Sequence, residues 1–565
     1  CIAADDGDEA IHAEQADRGS DTLLLKNTSQ PRLGFRVNKI YIDSYYMDPQ
    51  TKKYPEANRE LMKQFNEGML VFNYIGHNDP EVGFTGEGLF SRYEMEHLTN
   101  TRLPLFITIT CDYCQFDAED VSAGENVFLN PSAGAIALIT TTRVVYTDGN
   151  DKINQRLMKR LLERDSNGSP LRIGDVLKLA KRDFNTEIDK NKLNYVLIGD
   201  PALKLAYPEH SIQVTRINGN SGEKNIEMIP GKNYTVEGEI RSHQNELLSD
   251  FNGYIYYNLY DKEKQFTTLA HQDKKTWTYT HRPDLLTTGK GTIQNGIFRI
   301  TVALPIDNSH SGKSGLLNLY AYDESGREAN GYTDKLIVST AVEPITEDIQ
   351  GPDIEFAGIN DDSFTEGILV NNPATFVCKF SDPSGIWSGN SLGKQMTLSL
   401  DGACIEENVA RYYKPIAESE IPEGEFIYPL PRLSNGLHTL TFKVFDTLGN
   451  SSEVTIAFEV KENSETYTIS LEEEPATERA TISCQDQNGN DVTESKHTRI
   501  SVTNTLGEEI WSYETTENNP FPLTWNLQDN NGKRVSAGQY YCKGYFETSA
   551  GTIVTPAKKI VVITQ

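Results

Sequence analysis

Met69-Leu70-Val71-Phe72-Asn73-Tyr74-Ile75-Gly76-His77 and Leu103-Pro104-Leu105-Phe106-Ile107-Thr108-Ile109-Thr110-Cys111 are two apolar runs, each ending on a reactive side chain. Both are short, rich in β-branched and aromatic residues and bounded by turn formers, which is the pattern of strands buried in a parallel sheet. The stretch between them, with Tyr93, Met95 and Leu98, has room for a crossover helix. Parallel neighbours would deliver His77 and Cys111 to one carboxyl edge, where open α/β sheets place their ligands. A thiol and an imidazole there can act as nucleophile and base.

Outward from these runs the pattern alternates. Residues 8–17 suit a short helix behind the acidic loop Asp5-Asp6-Gly7-Asp8-Glu9, and residues 37–42 read as a strand. Residues 56–67 have helical spacing closed by Gly68. Residues 133–140 form a further apolar strand, 151–163 and 173–185 amphipathic helices, and 195–198 a last strand ended by Asp200-Pro201. Strand and helix alternating to about Pro208 predict one α/β layered unit. Beyond residue 210 the period becomes two, in 234–240, 254–260, 298–304, 316–322, 376–380 and 437–446, between Gly, Asn and Asp turns. That is a β-sandwich signature. The expected divisions are 1–209 (α/β), 210–346, 347–463 and 464–565 (all three β).

A chain of 565 residues exceeds a single core. The formal net charge of -28 argues against a nucleic-acid partner, since the balance leaves no basic excess to neutralise phosphates, and an acidic surface is compatible with secretion or display on a cell. No apolar run approaches the roughly 20 residues that span a bilayer. Seven cysteines, widely spaced, are too few for a disulfide framework and do not suit a zinc site. Beginning at Cys1 without Met, the sequence reads as a mature or truncated form. Cys1 admits a lipidated terminus or a strand entered midway; the second is preferred because a lipidated Cys is usually followed by a disordered tether.

The motifs around the two runs carry a resemblance. Asn73-Tyr74-Ile75-Gly76-His77, Leu98-Thr99-Asn100, Leu103-Pro104-Leu105 and Cys111 resemble the gingipain-type cysteine peptidases, whose catalytic domain is caspase-like. Phe116-Asp117, Ser122-Ala123-Gly124-Glu125, Thr140-Thr141-Thr142-Arg143 and Gly199-Asp200-Pro201-Ala202-Leu203 continue the series and are most similar to the sortase branch of type IX secretion. The resemblance implies an α/β caspase-like (gingipain-type) domain, N-terminally truncated, followed by all-β Ig-like sandwiches, the last of which is the C-terminal domain of type IX cargo. It implies a surface peptidase, associated with the outer membrane of a Gram-negative bacterium, that cuts the C-terminal signal domain from cargo and passes the new C-terminus to an anionic lipopolysaccharide amine. Implied partners are cargo signal domains, a PorV-like outer-membrane barrel with its attachment complex, and the lipopolysaccharide acceptor. No cofactor is required. Two other readings stay open, a non-catalytic surface scaffold or adhesin and a secreted gingipain-like endopeptidase.

Cys111 alone would more often be a packed core thiol, since free cysteine is among the most buried residue types. Its place at a strand end, with His77 at the end of another, points to a dyad. In the mechanism the resemblance implies, His77 serves the thiolate and later protonates the leaving amine, while Cys111 attacks the scissile carbonyl. Backbone N–H groups of Cys111 and Asn78 would stabilise the oxyanion. The family normally has Gly where this chain has Asn78, and Asn tolerates positive φ better than other non-Gly residues. The family also uses an acidic residue to orient its histidine; Asp5, Asp6, Asp8 and Glu9 read equally as a solvated loop or a structural Ca2+ site, so none is assigned. Arg143 and Tyr146 read equally as a substrate groove and as a strand end with a salt-bridged Arg. Cys114 makes a CxxC pair with Cys111, read as packing or a protective disulfide before redox chemistry. His12 and His97 are expected to be structural.

Overall fold

The computed structural model describes residues 1–563 except 27, 29–33, 79–82, 85–87, 184–189, 272–273, 307–312, 324, 341–347, 361–368, 371, 373, 390, 392, 407, 417–420, 461–466, 473–474, 487–491, 493–494, 505–508, 518–519, 549–550 and 556. Six short strands make the sheet that carries His77 and Cys111: β1 (Ile2–Ala4), β2 (Lys39–Tyr41), β3 (Val71–Ile75), β4 (Leu105–Ile109), β5 (Ala137–Thr141) and β6 (Tyr195–Ile198). Their order is 2-1-3-4-5-6, parallel except for the last, which runs antiparallel to β5. Every residue of β4 and β5 is buried, as an apolar run without alternation requires when both faces are covered. Leu105, Ile107 and Ile109 pack on one face with Ile75, Ile139 and Ile153. On the other face Phe72 and Phe106 join Phe65, Phe84 and Phe90 in an aromatic cluster.

The helices flank this sheet: α1 (Ile11–Leu24), α2 (Pro55–Glu67), α3 (Arg92–Glu96), α4 (Ala123–Phe128), α5 (Thr147–Leu161), α6 (Ile173–Arg182) and α7 (Lys190–Asn194). Helix α2 ends where Gly68 predicts, at φ 86 with its N–H returned to the Gln64 carbonyl. Helix α1 runs seven residues beyond the expected end at Asp17, through the weak helix formers Gly19 and Ser20. Packing decides this. A Cβ at Gly19 would stand 2.9 Å from Asn154 Nδ2 on α5, so the bare glycine lets the two helices approach. The crossover expected between β3 and β4 is the short α3, which buries Met95 and leaves Tyr93 exposed. The end of the helix expected over 173–185 lies outside the described residues.

From His210 onward the described structure is almost entirely β. The first β unit contains the expected strands as Asn233–Arg241, Gly253–Tyr260, Ile297–Ala303 and Leu316–Asp323. Its edge strands His210–Ile217 and Glu328–Thr333 pair in parallel, so the sheet closes around a core that includes Val236, Ile255 and Leu319. Alternation alone does not separate a sandwich from a sheet closed along its edge, because both bury one face. Two further units follow, with cores around Phe376 and Phe442 and around Trp525 and Phe546. Among the described residues no helix is long and apolar enough to cross a membrane.

One β-ribbon leaves the first β unit. Strands Lys264–Thr267 and Thr278–His281 pair with each other and lie against β2, the edge of the α/β sheet. Tyr279 packs edge-to-face on Tyr41, with centroids 4.6 Å apart, and belongs to the same core as Ile75 and Ile107. Asp43 holds the ribbon's turn: its carboxylate accepts the N–H groups of Ala270 (2.7 Å) and His271 (2.9 Å). The exposed edge that an open sheet must protect is thus covered by the next domain.

Candidate active site

The register Ala4↔Ile75↔Ile109 across three parallel strands brings Asp5, His77 and Cys111 out at one carboxyl edge. Gly76 allows the sharp exit of the first loop. A Cβ there would lie 2.5 Å from Asp5 Oδ2 and 2.6 Å from the Tyr74 hydroxyl. Without one, the His77 N–H donates to Asp5 Oδ2 (2.6 Å), and the Tyr74 hydroxyl donates to the His77 carbonyl (2.8 Å). The other Asp5 oxygen is hydrogen-bonded to His12 Nδ1, from the start of α1. Burial alone would raise the Asp5 pKa, but the charge and hydrogen bond of His12 and the His77 N–H outweigh it and hold the carboxyl below its ordinary range.

The acidic loop divides its side chains among separate partners. Asp6 accepts from the buried Tyr54 hydroxyl (2.6 Å), and Asp8 Oδ2 lies 3.4 Å from His77 Nε2. Glu9 pairs with Lys275 of the β-ribbon (2.5 Å). Asp8, Glu9 and Ala10 all lie in the left-handed region, at φ 57, 59 and 63. Such backbone costs about 1–3 kcal/mol per residue and persists where surrounding contacts hold it, commonly at functional sites.

Cys111 is half-buried, and its thiol donates to the Val145 carbonyl (3.4 Å). The imidazole of His77 is directed to Asp8; the pair share the sheet edge without a hydrogen bond between them. Asn78 ties the two loops together. Its Nδ2 donates to the Cys111 carbonyl (3.1 Å), and its Oδ1 is buried without a partner. The left-handed non-Gly residues at this edge are Asp8, Glu9, Ala10 and Asp112; Asn78 is not one of them. Where Gly would leave the loops unlinked, Asn78 therefore contributes a side-chain bridge. Asn78→Ala should remove about 1 kcal/mol of net hydrogen-bond stability and free the Cys111 loop. The expected result is several-fold faster iodoacetamide labelling of the Cys111 peptide with a small drop in melting temperature; unchanged labelling would show the bridge to be idle.

Arg143 forms a two-pronged pair with Asp117 (3.0 and 2.6 Å), both half exposed. Tyr146 projects into solvent at 65% exposure; Val144 and Leu193 are exposed too, on segments joined by the Asn191–Tyr146 and Asn194–Val144 hydrogen bonds. The Tyr146 backbone is pinned by buried Asn191, which accepts the Tyr146 N–H (3.0 Å) and donates to Asn150 (3.1 Å). The result is an exposed apolar rim next to the thiol. Cys114 is free and buried, with its pKa pushed up to about 11 by burial, and Cys111 is also free, so the CxxC spacing makes no disulfide here. His97 caps α3, its Nδ1–H donating to the Tyr93 carbonyl (2.8 Å).

His12, whose helical position suggests a structural role, and two acids of the unassigned loop, Asp5 and Asp8, gather around His77. Asp5 had a legible signal, since it follows the apolar triplet Ile2-Ala3-Ala4 at a strand's carboxyl end. His12 had none, because its spacing is that of any inward helix position.

Residues 1–206 match peptidase family C25. Among solved structures the chain is similar to dimeric latent PorU from Porphyromonas gingivalis, at 24% identity and TM-score 0.33, covering 77% of this chain and 41% of that one. It is also similar to the complex of Porphyromonas gingivalis RgpB pro- and mature domains, at 17% identity and TM-score 0.29, covering 60% of this chain and 68% of that one. Clostridium thermocellum CbhA fibronectin(III)-like modules match at 10% identity and TM-score 0.18, over 37% of this chain and 94% of that one. The chain therefore spans less than half the length of the PorU structure it matches. No curated protein sequence matches. Residues 1–206, which bring Cys111 and His77 out at one sheet edge, are similar to peptidase family C25, whose family model they match.

Proposed function

We propose that this chain is a cell-surface cysteine peptidase acting as a type IX secretion sortase, with Cys111 as nucleophile and His77 as its base and acid. The observation that carries the reading is the emergence of both side chains from adjacent parallel strands within the residues that match peptidase family C25. The chemistry requires the thiol to turn from the Val145 carbonyl and the imidazole from Asp8 until the two meet. The Cys111 proton then passes to His77, sulfur bonds to the scissile carbonyl carbon, and the backbone N–H groups of Cys111 and Asn78 receive the oxyanion. His77 returns the proton to the leaving amine, and a thioester remains. An acceptor amine resolves it to an amide and water resolves it to an acid, so sortase and protease differ only in the acceptor. The apolar rim of Val144, Tyr146 and Leu193, with Arg143 beside it, would receive the peptide.

On this reading the substrates are cargo C-terminal signal domains, and the acceptor is an amine of lipopolysaccharide. A PorV-like outer-membrane barrel and its attachment complex would hold the chain at the surface, and the chemistry needs no cofactor. A non-catalytic scaffold is the second reading, favoured by the separate contacts that keep thiol and imidazole apart. The test is to incubate the full chain with a cargo signal domain and an amine acceptor, then weigh the released protein. A sortase adds the mass of the acceptor less water; a hydrolase leaves a free carboxylate. A scaffold releases nothing.

A further inference from the structure

The carboxyl edge gathers ligand groups more tightly than peptide cleavage requires. One ligand atom each of Asp5, His12 and His77 lies within 4.8 Å of the other two. Asp8 adds a fourth group, its Oδ2 lying 3.4 Å from His77 Nε2 and 3.7 Å from His12 Nε2. A tetrahedral zinc site with bonds of about 2.0–2.1 Å keeps its donors about 3.3–3.4 Å apart. Asp8 and each imidazole already stand within a few tenths of an ångström of that spacing.

The surroundings fit as well. The second nitrogen of His12 is held by Asp5, the carboxylate–histidine arrangement by which metal proteins fix the tautomer that presents Nε2 to an ion. Asp5 also accepts the His77 N–H, so one buried carboxylate sets both imidazole-bearing segments. His77 and Asp8 are half exposed, at 51% and 50%, which gives an ion a path in and leaves a coordination position for water. Two imidazoles and one carboxylate suit Zn2+ and neighbouring late first-row ions, whereas Ca2+ and Mg2+ prefer all-oxygen sets.

We propose that His12, His77 and Asp8 form a site for a divalent transition metal, best suited to Zn2+, with Asp5 as the outer-sphere carboxylate on His12. Binding at this site is independent of the peptidase reading; its consequence for cleavage rests on it. An ion on His77 Nε2 removes the acceptor for the Cys111 proton, so the metal-bound chain is held inactive and a chelator releases it.

The test uses the full, tag-free chain, stripped with chelator and titrated with Co2+ as a spectroscopic probe, then with Zn2+ as competitor. The expected result is one equivalent of Co2+ with the visible absorption of a four-coordinate nitrogen and oxygen site, no thiolate charge-transfer band, and displacement by Zn2+. Asp8→Asn and His12→Gln should each weaken binding about tenfold or more, and Cys111→Ser should leave it intact. Because His12 is buried, its variant is read only with an unchanged circular dichroism spectrum; the exposed Asp8→Asn keeps the test decisive if His12→Gln misfolds. A thiolate band, loss of binding in Cys111→Ser, or equal binding by wild type and Asp8→Asn would overturn the proposal. Since the readout is optical, a chain that binds Co2+ as expected yet never cleaves would refute the peptidase reading alone.

Discussion

Cys111→Ala is expected to lower cleavage of a cargo signal domain by a factor on the order of 10^4 or more, to background, and His77→Ala is expected to do nearly the same. The reaction needs a bond from sulfur to the carbonyl carbon, which no neighbouring side chain can supply. Asp5 and Asp8 already face imidazoles, and Cys114, buried with its pKa pushed up to about 11, has neither access nor thiolate character. Effects should not add: once the nucleophile is gone, removing the base costs little more, because the two act as a unit. The fold should tolerate Cys111→Ala, since the thiol's hydrogen bond to the Val145 carbonyl is long, at 3.4 Å, and its packing on the core is at a half-buried position. Circular dichroism and the melting temperature should therefore match wild type while the product peak disappears. Cys114→Ala supplies the contrast. It opens a small void near Gly124 and should cost about 1 kcal/mol of stability while leaving cleavage in place. Cleavage that survives Cys111→Ala would remove the peptidase reading and favour the scaffold.

What sequence could reveal depended on the range of the interaction that fixes each element. Strands β3 and β4 were legible because β-branched and aromatic runs of that length, buried on both faces, have few other uses. Their parallel pairing then put His77 and Cys111 at one edge by topology alone. The length of α1 was not legible, since its second half consists of residues that favour helix only when packed on α5. The same holds within the site. Asn78 could be recognised as a departure from Gly, but its bridge to Cys111 depends on the spacing of two loops 33 residues apart in sequence. The parting of Asp5, Asp6, Asp8 and Glu9 among an imidazole pair, a tyrosine and a lysine depends on three different distant segments. A run of acids in sequence says nothing of this, because charge pattern carries no direction.

Period-two alternation beyond residue 210 leads to the expectation that the β units fold apart from the α/β unit, yet the ribbon 264–281 makes the α/β unit dependent on its neighbour. Expressed alone, residues 1–209 should fail to unfold cooperatively, whereas residues 1–346 should melt as a folded protein. Without the ribbon, β2 becomes a bare edge, and Tyr41, fully buried in the intact chain, faces water where Tyr279 had covered it. An aromatic side chain buries roughly 150–250 Å2, so Tyr279 alone removes on the order of 4–6 kcal/mol of apolar exposure at about 25 cal/mol per Å2. Trp277 and Phe266 pack partly buried on the same core, and Lys39 loses the Thr280 carbonyl that accepts from it at 2.9 Å. Against a usual total of about 5–15 kcal/mol, losses of that size are decisive. In the full chain, Tyr279→Ala should cost about 3–5 kcal/mol. Asp43→Ala should cost about 1–3 kcal/mol for each of the two N–H groups it leaves without an acceptor. Both variants should also slow cleavage, because the ribbon reaches the strained loop through Lys275 and Glu9, one residue from the Asp8 that faces His77. The check is thermal unfolding of the two fragments and both variants, followed by cleavage below their melting temperatures. If residues 1–209 melt cooperatively at the same temperature as 1–346, the ribbon is an ornament, and the α/β sheet protects its own edge.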